Sequence, residues 1–91
     1  MTSVDQLEEL ITKKFPGVWI KPGSHMGYSD KSLISGEGSE HKGKEVFNYW
    51  TEDWKETTYR MKVLIEFADF VEKHGYYVEF IDSGTVAISP E

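Results

Sequence analysis

The feature that most constrains the fold is residues 51–74, TEDWKETTYRMKVLIEFADFVEKH, because no other part of the chain is long and apolar enough to make a core helix. At about 100° per residue, Trp54, Thr57, Met61, Leu64, Ile65, Ala68 and Val71 fall on one stripe, with Tyr59, Val63, Phe67 and Phe70 on a second stripe beside it. Lys55, Lys62, Glu66, Asp69 and Lys73 share the remaining arc, about a third of the circumference, where a surface helix ordinarily shows half or more. A helix this apolar needs cover on two sides, from a sheet and from either the first helix or a second copy of the chain, so a homodimer is one expected arrangement. Thr51 suits an N-cap, Glu52 and Asp53 suit the first turn, and Lys73, His74 and Gly75 suit a C-terminus.

Ahead of this stretch the spacing predicts a helix over 3–15. Ser3 and Gln6 stand at capping-box spacing before Val4, Leu7, Leu10, Ile11 and Phe15, Glu9 and Lys13 form an i, i+4 pair, and Pro16-Gly17 stops the helix. Strands are expected over 18–21, 31–35 and 46–50. In the first, Val18 and Ile20 alternate with Trp19 and Lys21, so the Trp19 ring is expected to lie over a neighbouring element. Residues 35–44, rich in glycine and charge, read as a hairpin loop. The clearest hairpin spans 76–89, turning through Asp82-Ser83-Gly84. There Val78, Phe80, Val86 and Ile88 would cover the helix, and Tyr77, Glu79, Ile81 and Ala87 would lie on the other face. The expected architecture is one α+β domain over 1–91, in the order α-β-β-β-α-β-β. It has an antiparallel sheet of about five strands, a short N-terminal helix and a long central helix.

Composition narrows the function classes. With no cysteine there is neither a disulfide framework nor a thiolate metal site, and the chain shows no signal peptide and no apolar run of membrane-spanning length. A cytoplasmic location without a membrane partner is therefore expected. The net charge is −6, and it is uneven: residues 1–45 hold 7 acids and 6 bases, residues 46–91 hold 9 acids and 4 bases. Phosphate backbones demand a basic footprint, so direct nucleic-acid binding is not expected and a protein with a basic surface is the better partner.

Most candidate chemical motifs are incomplete. Gly38 to Lys44 matches the first seven positions of a phosphate-binding loop, but Glu45 stands where the magnesium-coordinating Ser or Thr belongs. His25, Asp30, Glu37, Glu40 and His41 offer nitrogen and oxygen ligands if their loops meet, yet none sits at a metal-ligand spacing. These five residues define the alternative reading, a small ligand- or metal-binding or hydrolytic protein using loops 23–45. The serines near His25 and His41 are explained by loop composition. Glu56 and Arg60, at i, i+4 on the expected helix, suit an ion pair that fixes its packing. No cofactor, resident metal or catalytic residue is expected, and hence no enzyme.

Aromatic residues are the remaining signal: 13 of 91 are Phe, Trp or Tyr, and they crowd around residue 50. Tyr49 and Trp50 cannot both point inward from one strand, so some rings should be exposed beside Glu52 and Asp53. Aromatic anchors with a charged rim are characteristic of protein-binding surfaces. The expected partner site is Tyr49, Trp50, Glu52, Asp53, Trp54 and Glu56. In size and charge, not in motif, the chain resembles small inhibitor proteins such as toxin immunity proteins and phage-encoded anti-defence proteins. That resemblance implies a non-catalytic inhibitor or regulator occupying a basic, nucleic-acid-binding surface of its partner.

Overall fold

The computed structural model describes residues 2–52 and 57–91. Helix α1 (Val4–Lys14) starts as its sequence requires: the Ser3 hydroxyl accepts from the Gln6 amide at 3.2 Å, and the Gln6 side chain accepts from the Ser3 amide at 2.9 Å. Its inward residues Leu7 and Ile11 are fully buried, and the amide of Phe15 closes the last turn on Ile11. Pro16-Gly17 then turns the chain. A Cβ at Gly17 would stand 2.2 Å from the main-chain oxygen of Glu40, so only glycine permits this close approach.

Strand β1 (Lys21–Pro22) leads through a 3-10 turn, Gly23–Met26, to β2 (Leu33–Gly36). A small hairpin follows, β3 (Glu40–His41) and β4 (Lys44–Glu45), turning on Lys42 and Gly43 at positive φ. After α2 (Ile65–Lys73), β7 (Tyr76–Asp82) and β8 (Thr85–Pro90) form the expected C-terminal hairpin. The main sheet is antiparallel throughout and has four strands in the order β1-β2-β8-β7. β7 is an edge strand. The α+β architecture with two helices and an antiparallel sheet is as expected.

Between residues 57 and 64 the fold departs from expectation. A second small hairpin, β5 (Tyr59–Arg60) and β6 (Val63–Leu64), stands where a helix over 51–74 was predicted, and the helix proper occupies only Ile65–Lys73. Leu64, not Thr51, is its N-cap, without a side-chain hydrogen bond; the Ile65 amide donates instead to Thr58 C=O at 3.0 Å. The physical reason lies in the apolar spacing. Tyr59, Val63 and Leu64 are buried under either geometry, and paired strands let them join a backbone ladder with residues 46–48. The Leu64 amide donates to Val46 C=O and the Asn48 amide to Lys62 C=O, both at 2.8 Å, and Phe47 bridges Val63. The strand expected over 46–50 does not form: Phe47 makes only an isolated bridge, and the chain turns at Tyr49-Trp50. The strand expected over 18–21 contributes only Lys21–Pro22 to the sheet.

This correction also changes the shape of the helix. α2 buries Phe67, Ala68, Phe70 and Val71 and exposes Glu66, Asp69, Glu72 and Lys73, an ordinary amphipathic pattern. The narrow polar arc that suggested a homodimer came from overlaying a hairpin and a helix. The core lies between α1, α2 and the sheet. Phe15 sits 4.6 Å from the His41 ring, 5.1 Å from Phe67 and 5.3 Å from Phe70, all edge to face, and Phe47 meets Phe67 at 5.3 Å. Val86 and Ile88 are fully buried beneath it, with Val78 and Phe80 packed at its margin. Ala87, expected on an open face, is fully buried, as is its register partner Ile34 on β2.

Polar groups inside the fold are paired. The Ser35 hydroxyl donates to Trp19 C=O at 2.6 Å and meets Ser39 Oγ at 3.0 Å, while the Trp19 indole N–H donates to Glu37 C=O at 2.8 Å. Trp19 therefore lies over a neighbouring loop, as expected.

Met61 and Lys62, the two loop residues of the β5–β6 hairpin, have φ of 51° and 69°. This two-residue left-handed geometry matches the strand twist but favours Asn and Gly. Replacing both as Met61→Asn/Lys62→Gly should therefore raise unfolding free energy by about 1 kcal/mol. Phe67→Ala should lower it by about 3 to 5 kcal/mol, since a fully buried ring is lost from the aromatic junction. Denaturant unfolding of both variants checks the pair. A destabilised turn variant would contradict the hairpin geometry.

Candidate functional site

A groove of about 380 Å³ lies between three elements. The β5–β6 hairpin contributes Arg60, Met61 and Val63, α2 contributes Ala68, Val71 and Glu72, and β7 contributes Tyr77, Val78, Glu79 and Phe80. Its walls are mostly apolar and its size lies within the range of sites that take small molecules or side chains. Met61 stands at its lip, 82% exposed, held there by its left-handed backbone. Tyr77 is 39% exposed at one end.

The charges of the groove are arranged around Arg60. Its guanidinium donates to Asp69 at 2.7 Å and also to Glu72, one turn along α2. The hydrogen bond to Asp69 is the main reason that the guanidinium is held above its ordinary pKa, with Glu72 adding to it and partial burial opposing it. The expected Glu56–Arg60 helical pair does not define this cation, because Arg60 lies in a strand and Glu56 lies outside the described residues. Its acids come instead from α2, so the ion pairs tie the hairpin to the helix.

An aromatic patch continues from the groove at Phe80. The Tyr49 ring packs edge to face between Phe80, at 5.4 Å, and Trp50, at 5.1 Å. Lys62 places its ammonium 4.1 Å from the centre of the Tyr49 ring, linking the patch to the hairpin turn. Trp50 is 78% exposed, and Glu52 beside it in sequence is exposed as well. Of the expected partner site, Tyr49, Trp50 and Glu52 are thus placed on this surface, whereas Asp53, Trp54 and Glu56 lie outside the described residues.

The alternative loop site is not assembled in the same way. His25 and Asp30 are exposed in and after the 3-10 turn. His41 packs its ring on Phe15 and places Nε2 3.2 Å from Glu66 Oε2, while Glu37 C=O accepts from the Trp19 indole and the Glu40 amide donates to Gly17 C=O. Among the described residues no three His, Cys, Asp or Glu side chains form a group able to hold a metal ion. Likewise no described helix is long and apolar enough to cross a membrane. His74 caps the end of α2, meeting Thr2 Oγ1 at 2.9 Å through Nδ1 and packing edge to face 5.0 Å from Phe70.

Sequence reasoning missed Arg60, Met61, Tyr77 and Phe80 as one site. Its only signals were the adjacent Tyr76 and Tyr77, which must face opposite ways, and the exposed face of Tyr77, Glu79 and Ile81. No protein-family model, curated protein or solved structure matches this chain.

Because Asp69 and Glu72 are both about half exposed, their pairing with Arg60 belongs to the class of solvated ion pairs. Arg60→Gln should accordingly change unfolding free energy by less than about 1 kcal/mol. Denaturant midpoints measured at low and high salt check this. A larger loss would mean that the hairpin depends on the cation for its position.

Proposed function

We propose that this chain is a small acidic, non-catalytic protein-binding module of the inhibitor or regulator type. Its contact surface runs from Trp50 through Tyr49 and Phe80 into the groove, and its partner is a protein with a basic surface, such as one that otherwise meets nucleic acid. The observation that carries this reading is Trp50, a large ring 78% exposed and braced edge to face by Tyr49. An exposed tryptophan on a patch that continues into an apolar groove is the residue type that dominates binding energy at protein interfaces. The acidic second half of the chain supports a basic partner, because opposite charge speeds encounter and rejects like-charged surfaces.

Two variants separate these contributions. Trp50→Ala should speed dissociation of a purified physiological partner by about tenfold or more, with little change in association, as expected for loss of an anchor. Glu52→Gln/Asp53→Asn should instead slow association at low ionic strength, and the effect should fade as salt is raised. Surface plasmon resonance across a salt series reads both, with circular dichroism confirming that each variant is folded. Parent-like rates for both folded variants at low salt would overturn this surface and turn attention to loops 23–45.

A further inference from the structure

Resting on the reading of this surface as a protein-contact site, we propose that the outer edge of β7 and the groove beside it take up an extended basic segment of the partner as an added β-strand. β7 ends the sheet order β1-β2-β8-β7. The Glu91 amide donates to Gly75 C=O at 2.9 Å, and the register pairs Tyr77 with Ser89 and Glu79 with Ala87. Antiparallel alternation therefore turns the main-chain N–H and C=O of Val78 and Phe80 outward, away from β8. Among the described residues no main-chain hydrogen bond reaches them from outside the strand pair. Such an edge is a template for strand addition.

Beside this edge lies the groove, and the two-residue period of a strand matches the pair. Alternate side chains of an added strand would drop against Val63, Ala68 and Val71, and those between would lie along Tyr77 and Glu79. Arg60 is already held by Asp69 and Glu72, and Glu79 also lines the groove, so the site is net negative and calls for Lys or Arg at the intervening positions, beside Glu79. A second copy of the chain is the poorer occupant. It would bring together two edges that each carry Glu79 beside Glu72 of α2, in chains of net charge −6.

The probe is a blocked hexapeptide of alternating Val and Lys, read by amide shifts and amide exchange of the full chain. In the protein alone the Val78 and Phe80 amides should exchange rapidly, and the peptide should slow the exchange of Val78 at least about tenfold. Methylating the peptide nitrogens in one alternate phase should abolish binding, and methylating them in the other should not. Replacing Lys by Glu should weaken binding at least about tenfold, which would reflect lost charge complementarity. Slow exchange of Val78 in the unliganded chain would show the edge already covered, by another segment or a second copy, and would overturn the proposal. So would no shift at millimolar peptide, or equal binding of both methylated phases. If strand addition fails while Trp50→Ala still releases a physiological partner, the contact surface stands and only its mode of binding is wrong. If the peptide pairs as expected while Trp50→Ala leaves that partner unaffected, strand addition stands and the aromatic patch is excluded from the interface.

Discussion

The contact on which the rest of the molecule depends is the edge-to-face junction around Phe15. This one ring, at the C-terminal end of α1, meets Phe67 and Phe70 of α2 and the His41 ring of the β3–β4 hairpin. It thereby joins three segments that are remote in sequence. Each such contact is modest, about 0.5 to 1.5 kcal/mol beyond area burial, but their convergence on a fully buried residue orients the helices relative to one another. With α2 fixed, the β5–β6 hairpin can pack against it, and the space between hairpin, helix and β7 becomes the groove. The site is a consequence of how the core is joined, and three of its walls, Val63, Ala68 and Val71, belong to that core.

The hairpin itself is held in a conformation that its own turn residues do not favour. Neither Met61 nor Lys62 has the short polar side chain or missing Cβ that eases a left-handed backbone, whereas the β3–β4 turn places Gly43 at its second position. Surrounding contacts maintain the geometry: the Tyr59 hydroxyl donates to Glu45 C=O at 2.7 Å, the Leu64 amide donates to Val46 C=O at 2.8 Å, and Lys62 lies over Tyr49. Local strain sustained by its surroundings tends to gather where a side chain must be presented in a particular place. Here it presents Met61 at the lip of the groove, and methionine is well suited to a surface that adapts to the shape it meets.

The same turn explains what could be read from the sequence and what could not. The capping box at Ser3 and Gln6 and the Asp82-Ser83-Gly84 turn are local chemistry, legible without the rest of the chain. Residues 57–64 are different, because Tyr59, Val63 and Leu64 suit the helical period as well as the strand pairing, and Met-Lys gives no turn signal. Reading them as helix joined two elements into one and concealed the groove between them. One clue was present in the unusually wide apolar arc, which no single short helix requires. The crowding of Tyr49 and Trp50 did signal an exposed ring, and Trp50 is one. Arg60, Tyr77 and Phe80 come together only through tertiary packing, so spacing along the chain carried no record of them.

An open sheet edge is ordinarily a hazard, and the way this one is treated bears on its use. The register slips between Phe80 and Asp82, leaving Ile81 as an extra residue that bends the strand and ends its regular edge. Lysine and proline, the usual guards of an edge, are absent from β7, and Glu79 and Asp82 are its only charges. Acidic guards in an acidic chain discourage one copy from pairing with another, yet they leave the edge open to a strand of opposite charge. Under the proposed strand addition, negative charge here would do two things at once: limit self-association through the sheet and select among foreign strands by the charge they carry.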